Sequence, residues 1–266
     1  MKSSMADYTL PLLKERERIC DIEIIIQKKQ NIPIPEGEVL TNAGIWTMVQ
    51  TAEGESVYRI LPEAPGVVSA RMDFRGNHAE ISIFSVDGSE TASRELIFTG
   101  QAFSQLILKQ ERMVFHSSCI ARNGKAVLFS APSGTGKSTH TELWKKYYPD
   151  TQYINDDTPV LRLDKPGEVL ACGSPWSGKT RLNQNISAPL CAVVFLEQGE
   201  KNIIEPLPKS EAMGRLLGEC RKMPFRSAMQ EAAELCGRLL DRVPVYRLSC
   251  DISSEAVETV RKELLL

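Results

Sequence analysis

The chain has 266 residues, 42% hydrophobic and 25% charged, with a formal net charge of −2. That length suits one large domain, or a catalytic domain joined to a smaller one. The near-neutral charge excludes a broad pull toward nucleic acid or an anionic membrane surface, so any affinity for phosphate must be local.

Residues 1–7 lack the apolar core of a signal segment, and the charged stretch 14–18 follows soon after. No run approaches the ~18 apolar residues of a membrane span. The seven cysteines (20, 119, 172, 191, 220, 236 and 250) are odd in number and never form a C-x-x-C pair. Several lie in apolar runs such as 190–195, which reads as buried free thiols in a reducing cytoplasm. A cytoplasmic protein is expected.

From about 19 to 84 the texture is that of short strands. Segments 19–27, 46–50, 57–61, 67–73 and 79–84 are rich in β-branched and aromatic residues, with turn signals such as Pro65-Gly66 and Arg75-Gly76-Asn77 between them. A helix over 95–109 follows, with Phe103, Leu106 and Ile107 on one face. The expected division is a β-rich N-terminal portion, 1–110, ending in a helix, and a mixed α/β portion, 111–266.

In the second portion 114–120 and 125–130 read as strands around the turn Arg122-Asn123-Gly124. A Gly-rich loop and a helix over 137–148 come next. Strands are expected at 152–155, 160–163, 169–172, 190–196 and 243–249. Helices are expected at 209–221 and 227–241, with a terminal one opened by Ser253 or Ser254.

The strict phosphate-loop pattern G-x-x-x-x-G-K-[ST] occurs once, from Gly173 to Thr180; a near match, from Ala131 to Ser138, lacks the first glycine. Physics favours the near match. A phosphate loop needs a buried strand before it, glycines that let backbone amides converge, and a helix N-terminus facing the anion. Residues 126–129 supply the strand, Gly134 and Gly136 the bends, and 138–144 the helix. Ser133, Gly134, Thr135, Gly136, Lys137, Ser138 and Thr139 are therefore the candidate nucleotide cradle. Lys137 is set to reach the β- and γ-phosphates, and Ser138 to ligate Mg²⁺. The strict match has Pro175 and Trp176 mid-loop and a poor helix after it, and reads as a surface loop.

Beyond the loop helix, Ile154-Asn155-Asp156-Asp157 ends a strand, where both acids can turn toward one ligand. One would serve the metal and the other would accept the proton of an attacking hydroxyl. The alternative is a solvated turn. His78 and His140 read as structural, and so, taken by itself, does His116 beside the apolar pair 114–115.

Phe115-His116-Ser117-Ser118, the loop through Thr139 and Ile154–Asp157 together resemble the catalytic core of HPr kinase/phosphorylase. They are also similar to the core of ATP-dependent phosphoenolpyruvate carboxykinase. The resemblance covers about residues 114–197. It implies an α/β fold: a P-loop-containing HPr kinase C-terminal/PEP carboxykinase-like domain beside the β-rich portion. It implies Asp156 as general base, Asp157 as the acid beside the metal, and His116 as an active-site residue or a metal ligand, the latter admitting Mn²⁺. Lys179 or Arg181 would neutralise the transferring phosphoryl group, or else form a basic surface turn. The acid that the family places near 171–173 is absent, since the chain reads Ala171-Cys172-Gly173.

The resulting expectation is an ATP- and Mg²⁺-dependent kinase acting on a hydroxyl, that of serine in a peptide, a protein or the free amino acid. Its partners are the nucleotide and that hydroxyl-bearing acceptor, without nucleic acid or membrane; a homo-oligomer is compatible with the sequence. The alternatives are a carboxykinase-type lyase and a non-catalytic nucleotide-binding module.

Overall fold

In a computed structural model, residues 22–43, 45–86, 92–163, 165–178 and 180–266 are described. Two compact units emerge: the described residues from 22 to 110 with 222–231, and those from 111 to 221 with 232–266. Residues 222–231 thus stand apart from the contiguous 111–266 read from the sequence.

The first unit contains one six-stranded sheet, built from β1 (Glu23–Lys29), β2 (Glu38–Ala43), β3 (Trp46–Gln50), β4 (Glu55–Leu61), β5 (Ala64–Arg75) and β6 (His78–Phe84). The order is β1-β6-β5-β4-β3-β2, antiparallel except for the parallel β1–β6 pair. Met48, Val57, Met72 and Ile81 lie opposite one another on successive strands, all fully buried, and form one apolar row across the sheet. Helix α1 (Ala92–Leu106) buries Phe98, Ala102 and Leu106 at i, i+4 and i+8. Phe103, expected on that face, is only partly covered. Strand β2 was not expected; its two-residue alternation is weak.

The second unit holds β7 (Arg112–Phe115), β8 (Ser117–Arg122), β9 (Lys125–Ser130), α2 (Lys137–Tyr147), β10 (Gln152–Asn155), β11 (Val160–Arg162) and β12 (Leu170–Cys172). Then come β13 (Ser187–Gln198), β14 (Ile203–Pro206), α3 (Lys209–Glu219), β15 (Cys220–Arg221), α4 (Arg226–Leu240), β16 (Val245–Cys250) and α5 (Ser254–Leu264). Helix α4 begins within residues 222–231 and ends in this unit. The sheet runs β10-β8-β9-β13-β12-β11-β7-β15, with β16 on the far half of β13 and β14 beyond it.

Long β13 organises this sheet. Its first residues pair antiparallel with β12, and its remainder lies parallel between β9 and β16. Phe129, Trp144, Val194, Leu248, Val257 and Val260 share one core there, which seats α2 and α5 on the sheet. Trp144 is fully buried, and its loss to alanine would cost ~3–5 kcal/mol. Ser253 caps α5, its Oγ accepting the Ala256 N–H at 3.4 Å.

One expected strand, 114–120, is in fact two. The chain changes partners at His116: β7 pairs with β11 and β15, whereas β8 pairs with β9 and β10. The backbone N–H groups of Phe115, His116 and Ser117 go to Pro159, Glu219 and Asp157 respectively, so no single ladder can continue through the histidine. Among the described residues, no helix is long and apolar enough to cross a membrane.

Candidate functional site

Strand β9 leads through Ala131–Gly136 directly into α2, giving the strand–loop–helix arrangement at the near-match loop. Gly134 and Gly136 have φ of 85° and 116°, a region that side-chain-bearing residues enter only with strain. Gly136 is the helix N-cap and offers no side chain there, which leaves the first amides of α2 open to an anion. Ser133 and Thr139 are exposed, and Thr135 is half-buried. After the strict match no helix follows; the segment instead carries an isolated β-bridge from Asn183 to Asn155.

Lys137 is buried, and its Nζ donates to the Ala131 carbonyl at 2.7 Å. Burial lowers its pKa from the ordinary lysine value. The negative charges of Glu219, Asp157 and Asp156 oppose that loss, and Arg221 adds to it. Lysine, three acids and an arginine therefore share one field.

Strand β10 delivers the acid pair. Asn155 closes the strand, its Oδ1 accepting the N–H groups of Asp157 and Thr158 at 2.9 and 2.7 Å. This side chain makes the turn. Its amide donates to Ser174 and to the Trp176 carbonyl, pinning the 174–178 segment beside the acids.

Asp156 is only 5% exposed. Its carboxylate accepts three hydroxyls: Ser118 on Oδ1 at 2.7 Å, and Ser138 and Thr180 on Oδ2 at 3.1 and 2.6 Å. Asp157 stands more open, at 32% side-chain exposure, with Oδ1 3.7 Å from His116 Nε2. A Cβ at Gly178 would lie 3.2 Å from the Asp157 Cβ, a tight contact, so a side chain at residue 178 would press on this acid.

His116 Nδ1 is 2.9 Å from Glu219 Oε2. The carboxylate accepts, so that nitrogen carries the proton and Nε2 is left facing Asp157. Glu219 ends α3 and was not singled out from the sequence. Nothing local marks it, because it and His116 meet only through the pairing of β15 with β7. Ser118 and Thr180 were likewise missed. Arg181 is exposed and has φ of 55°; Lys179 lies outside the described residues.

The donor set is one of hard oxygens, Ser138 and the acids, which suits Mg²⁺ held jointly with phosphate. Among the described residues no group of three or more His, Cys, Asp or Glu side chains forms a ready-made metal cluster.

Fold and site define a mixed α/β protein with a glycine-bearing strand–loop–helix facing an acid pair. Residues 91–265 match the family described as SynChlorMet cassette protein ScmC, and the chain belongs to that family. Among solved structures, the Hpr(Ser) kinase/phosphatase from Coxiella burnetii is similar at 13% identity and a TM-score of 0.32, over 57% of this chain and 96% of that one. A likeness of that size assigns no role to any residue. No curated protein matches the chain.

Proposed function

We propose that the chain is an ATP- and Mg²⁺-dependent kinase with an HPr kinase-like, P-loop-containing domain. It transfers the γ-phosphoryl group to a hydroxyl, that of serine in a peptide, a protein or the free amino acid. The observation that carries this reading is the hydrogen bond from Ser138 Oγ to Asp156 Oδ2, at 3.1 Å. It sets a hydroxyl from the first turn of the loop helix beside a carboxylate, two hard oxygens that would hold Mg²⁺ next to the phosphates. Mg²⁺, when bound, neutralises charge on those phosphates.

The same contact argues for a division of labour between the acids that reverses the one implied by the family resemblance. Asp156 shares Ser138 and already takes three hydroxyls, so it belongs to the metal side. Asp157 is open, with His116 behind it, and is the group placed to take a proton. The acceptor oxygen forms its bond to the γ-phosphorus while the bond to the β–γ bridging oxygen breaks. ADP leaves with that electron pair, and the acceptor's proton passes to Asp157. Glu219 keeps His116 Nε2 turned toward Asp157, and Lys137 stabilises charge on the transferred group.

The test is transfer from γ-labelled ATP to free serine, threonine and serine-containing peptides, run beside a binding titration. Asp157→Asn is expected to keep Mg·ATP binding and to lose transfer by ~10²–10⁴-fold, the usual size of a general-base contribution. Asp156→Asn is expected to weaken Mg²⁺-dependent binding. The opposite pattern restores the roles implied by the family. A wild type that binds ATP and labels none of the acceptors supports a nucleotide-binding module instead.

A further inference from the structure

Strands β9, β13 and β16 run parallel and adjacent, so their carboxyl ends lie along one edge of the sheet. Ligands of open α/β sheets bind outside such an edge. Here Gly134–Gly136 follow β9, Gly199 follows β13, and Asp251 and Ile252 follow β16. With Leu196–Gln198 and with Thr139, His140 and Leu143 of α2, they enclose a cavity of about 530 Å³. That is within the range of small-molecule sites, ~300–1,000 Å³. The phosphate loop forms one of its walls, and Gln198 Nε2 ties the end of β13 back to the Thr135 carbonyl at 3.4 Å.

We propose that this cavity holds the ribonucleoside half of the triphosphate, with the base against Leu143, Leu196 and Ile252 and the ribose hydroxyls on Asp251. The assignment rests on the reading of the adjoining loop as the triphosphate site.

Three features of the wall support it. The apolar side chains come from three different elements, β13, α2 and the segment after β16, and leave a slot between them. Ile252 is 77% exposed, a large apolar side chain at the rim that a planar base would cover.

Asp251 is set as an acceptor. Ser253 Oγ donates to its Oδ1 at 2.5 Å, and its own N–H is fixed on Asn202 Oδ1 at 3.1 Å. Hydrogen bonds from Ser253 and Asn202 hold its carboxyl below the usual carboxylate range. It is therefore ionised at neutral pH and is the acid on this wall placed to accept from a ribose diol, the role an acid plays in dinucleotide folds.

His140 belongs to the wall as a neutral group. Its Nε2 accepts the Trp144 indole N–H at 3.2 Å, which puts the ring proton on Nδ1. Among the described residues that buried N–H has no acceptor, an omission that native interiors rarely leave.

The experiment titrates the full chain with Mg·ATP, with Mg·2′,3′-dideoxy-ATP and with Mg·tripolyphosphate, which has the phosphates and no nucleoside. Leu143→Trp fills the slot and is expected to raise the Kd for ATP about tenfold or more, leaving tripolyphosphate within about twofold. Asp251→Ala, at an exposed position that tolerates truncation, is expected to weaken ATP about three- to tenfold and to leave the dideoxy analogue unchanged. Parallel losses for ATP and tripolyphosphate, or no change for either in folded variants, would overturn the assignment. If Leu143→Trp fails to fold, the Asp251→Ala arm decides alone. A wild type that binds tripolyphosphate as tightly as ATP removes the nucleoside site and keeps the phosphate loop. One that binds neither removes the loop, and the cavity assignment falls with it.

Discussion

His140 lies under Phe129, with 4.7 Å between ring centroids, and is 3% exposed. Burial pushes its pKa down from 6.5 to about 4. The sign of the consequence follows from linkage. Between these values the unfolded chain binds a proton that the folded one refuses, so stability falls as pH drops from about 6.5 to about 4. The full effect is on the order of 3 kcal/mol. His140→Gln, which still offers Trp144 an acceptor, is expected to lose most of that slope between pH 7 and 4.5 in urea titrations. An unchanged slope would move the acid sensitivity to another group. At this scale the loop, the acid pair and His116 were visible as residue types in a suitable order. Glu219 was not, since a lone glutamate at the end of an amphipathic helix looks like any solvated one.

Among elements, the 173–181 segment carries the lesson that a pattern match is not a geometry. Its letters satisfy the phosphate-loop pattern, yet no helix follows and its backbone is spent on Asn155. What it does instead is lean on the acid pair: Thr180 reaches Asp156, and Gly178 passes Asp157. Gly178→Val is accordingly expected to reduce transfer by about 10- to 100-fold, because a displacement near 1 Å at a reacting group costs ~10²-fold. Mg·ATP binding should stay within about threefold of wild type. Titration and turnover on one preparation separate the two quantities, and unimpaired turnover would remove this segment from the chemistry. The break at His116 was hidden for a related reason. Residues 114–120 read as one strand, and only the different partners of its two halves, β11 and β15 before His116 and β9 and β10 after it, split it.

Across the whole chain, the first unit draws on two separated stretches. The Phe225 ring packs edge-on against Phe74, the Met223 N–H donates to the Gln105 side chain, and Ser227 donates to Glu55. A fragment 111–266 therefore loses every one of these partners and exposes Phe225, at a cost of ~2–3 kcal/mol in apolar surface alone. Such a fragment is expected to melt at a lower temperature than the full chain and to self-associate as concentration rises. A monomeric fragment with the full chain's Tm would show that the contacts of residues 222–231 with Phe74, Gln105 and Glu55 are dispensable to it.

The sequence by itself determined the short-range features. Turn chemistry set Asn123-Gly124 between two strands, glycines set the bends of the 131–136 loop, and apolar periodicity set most helices and strands to within a few residues. These depend on contacts between near neighbours in the chain, so a local window contains their cause. The tertiary structure alone decided which distant groups meet. Glu219 reaches His116 across 103 residues, Ser118 reaches Asp156 across 38, and Thr180 reaches the same acid across 24. It also decided that the ends of β13 and β16 close a cavity against the loop. Strand pairing and core packing fix such meetings, and their energies are summed over the whole sheet, so no local stretch of sequence encodes them.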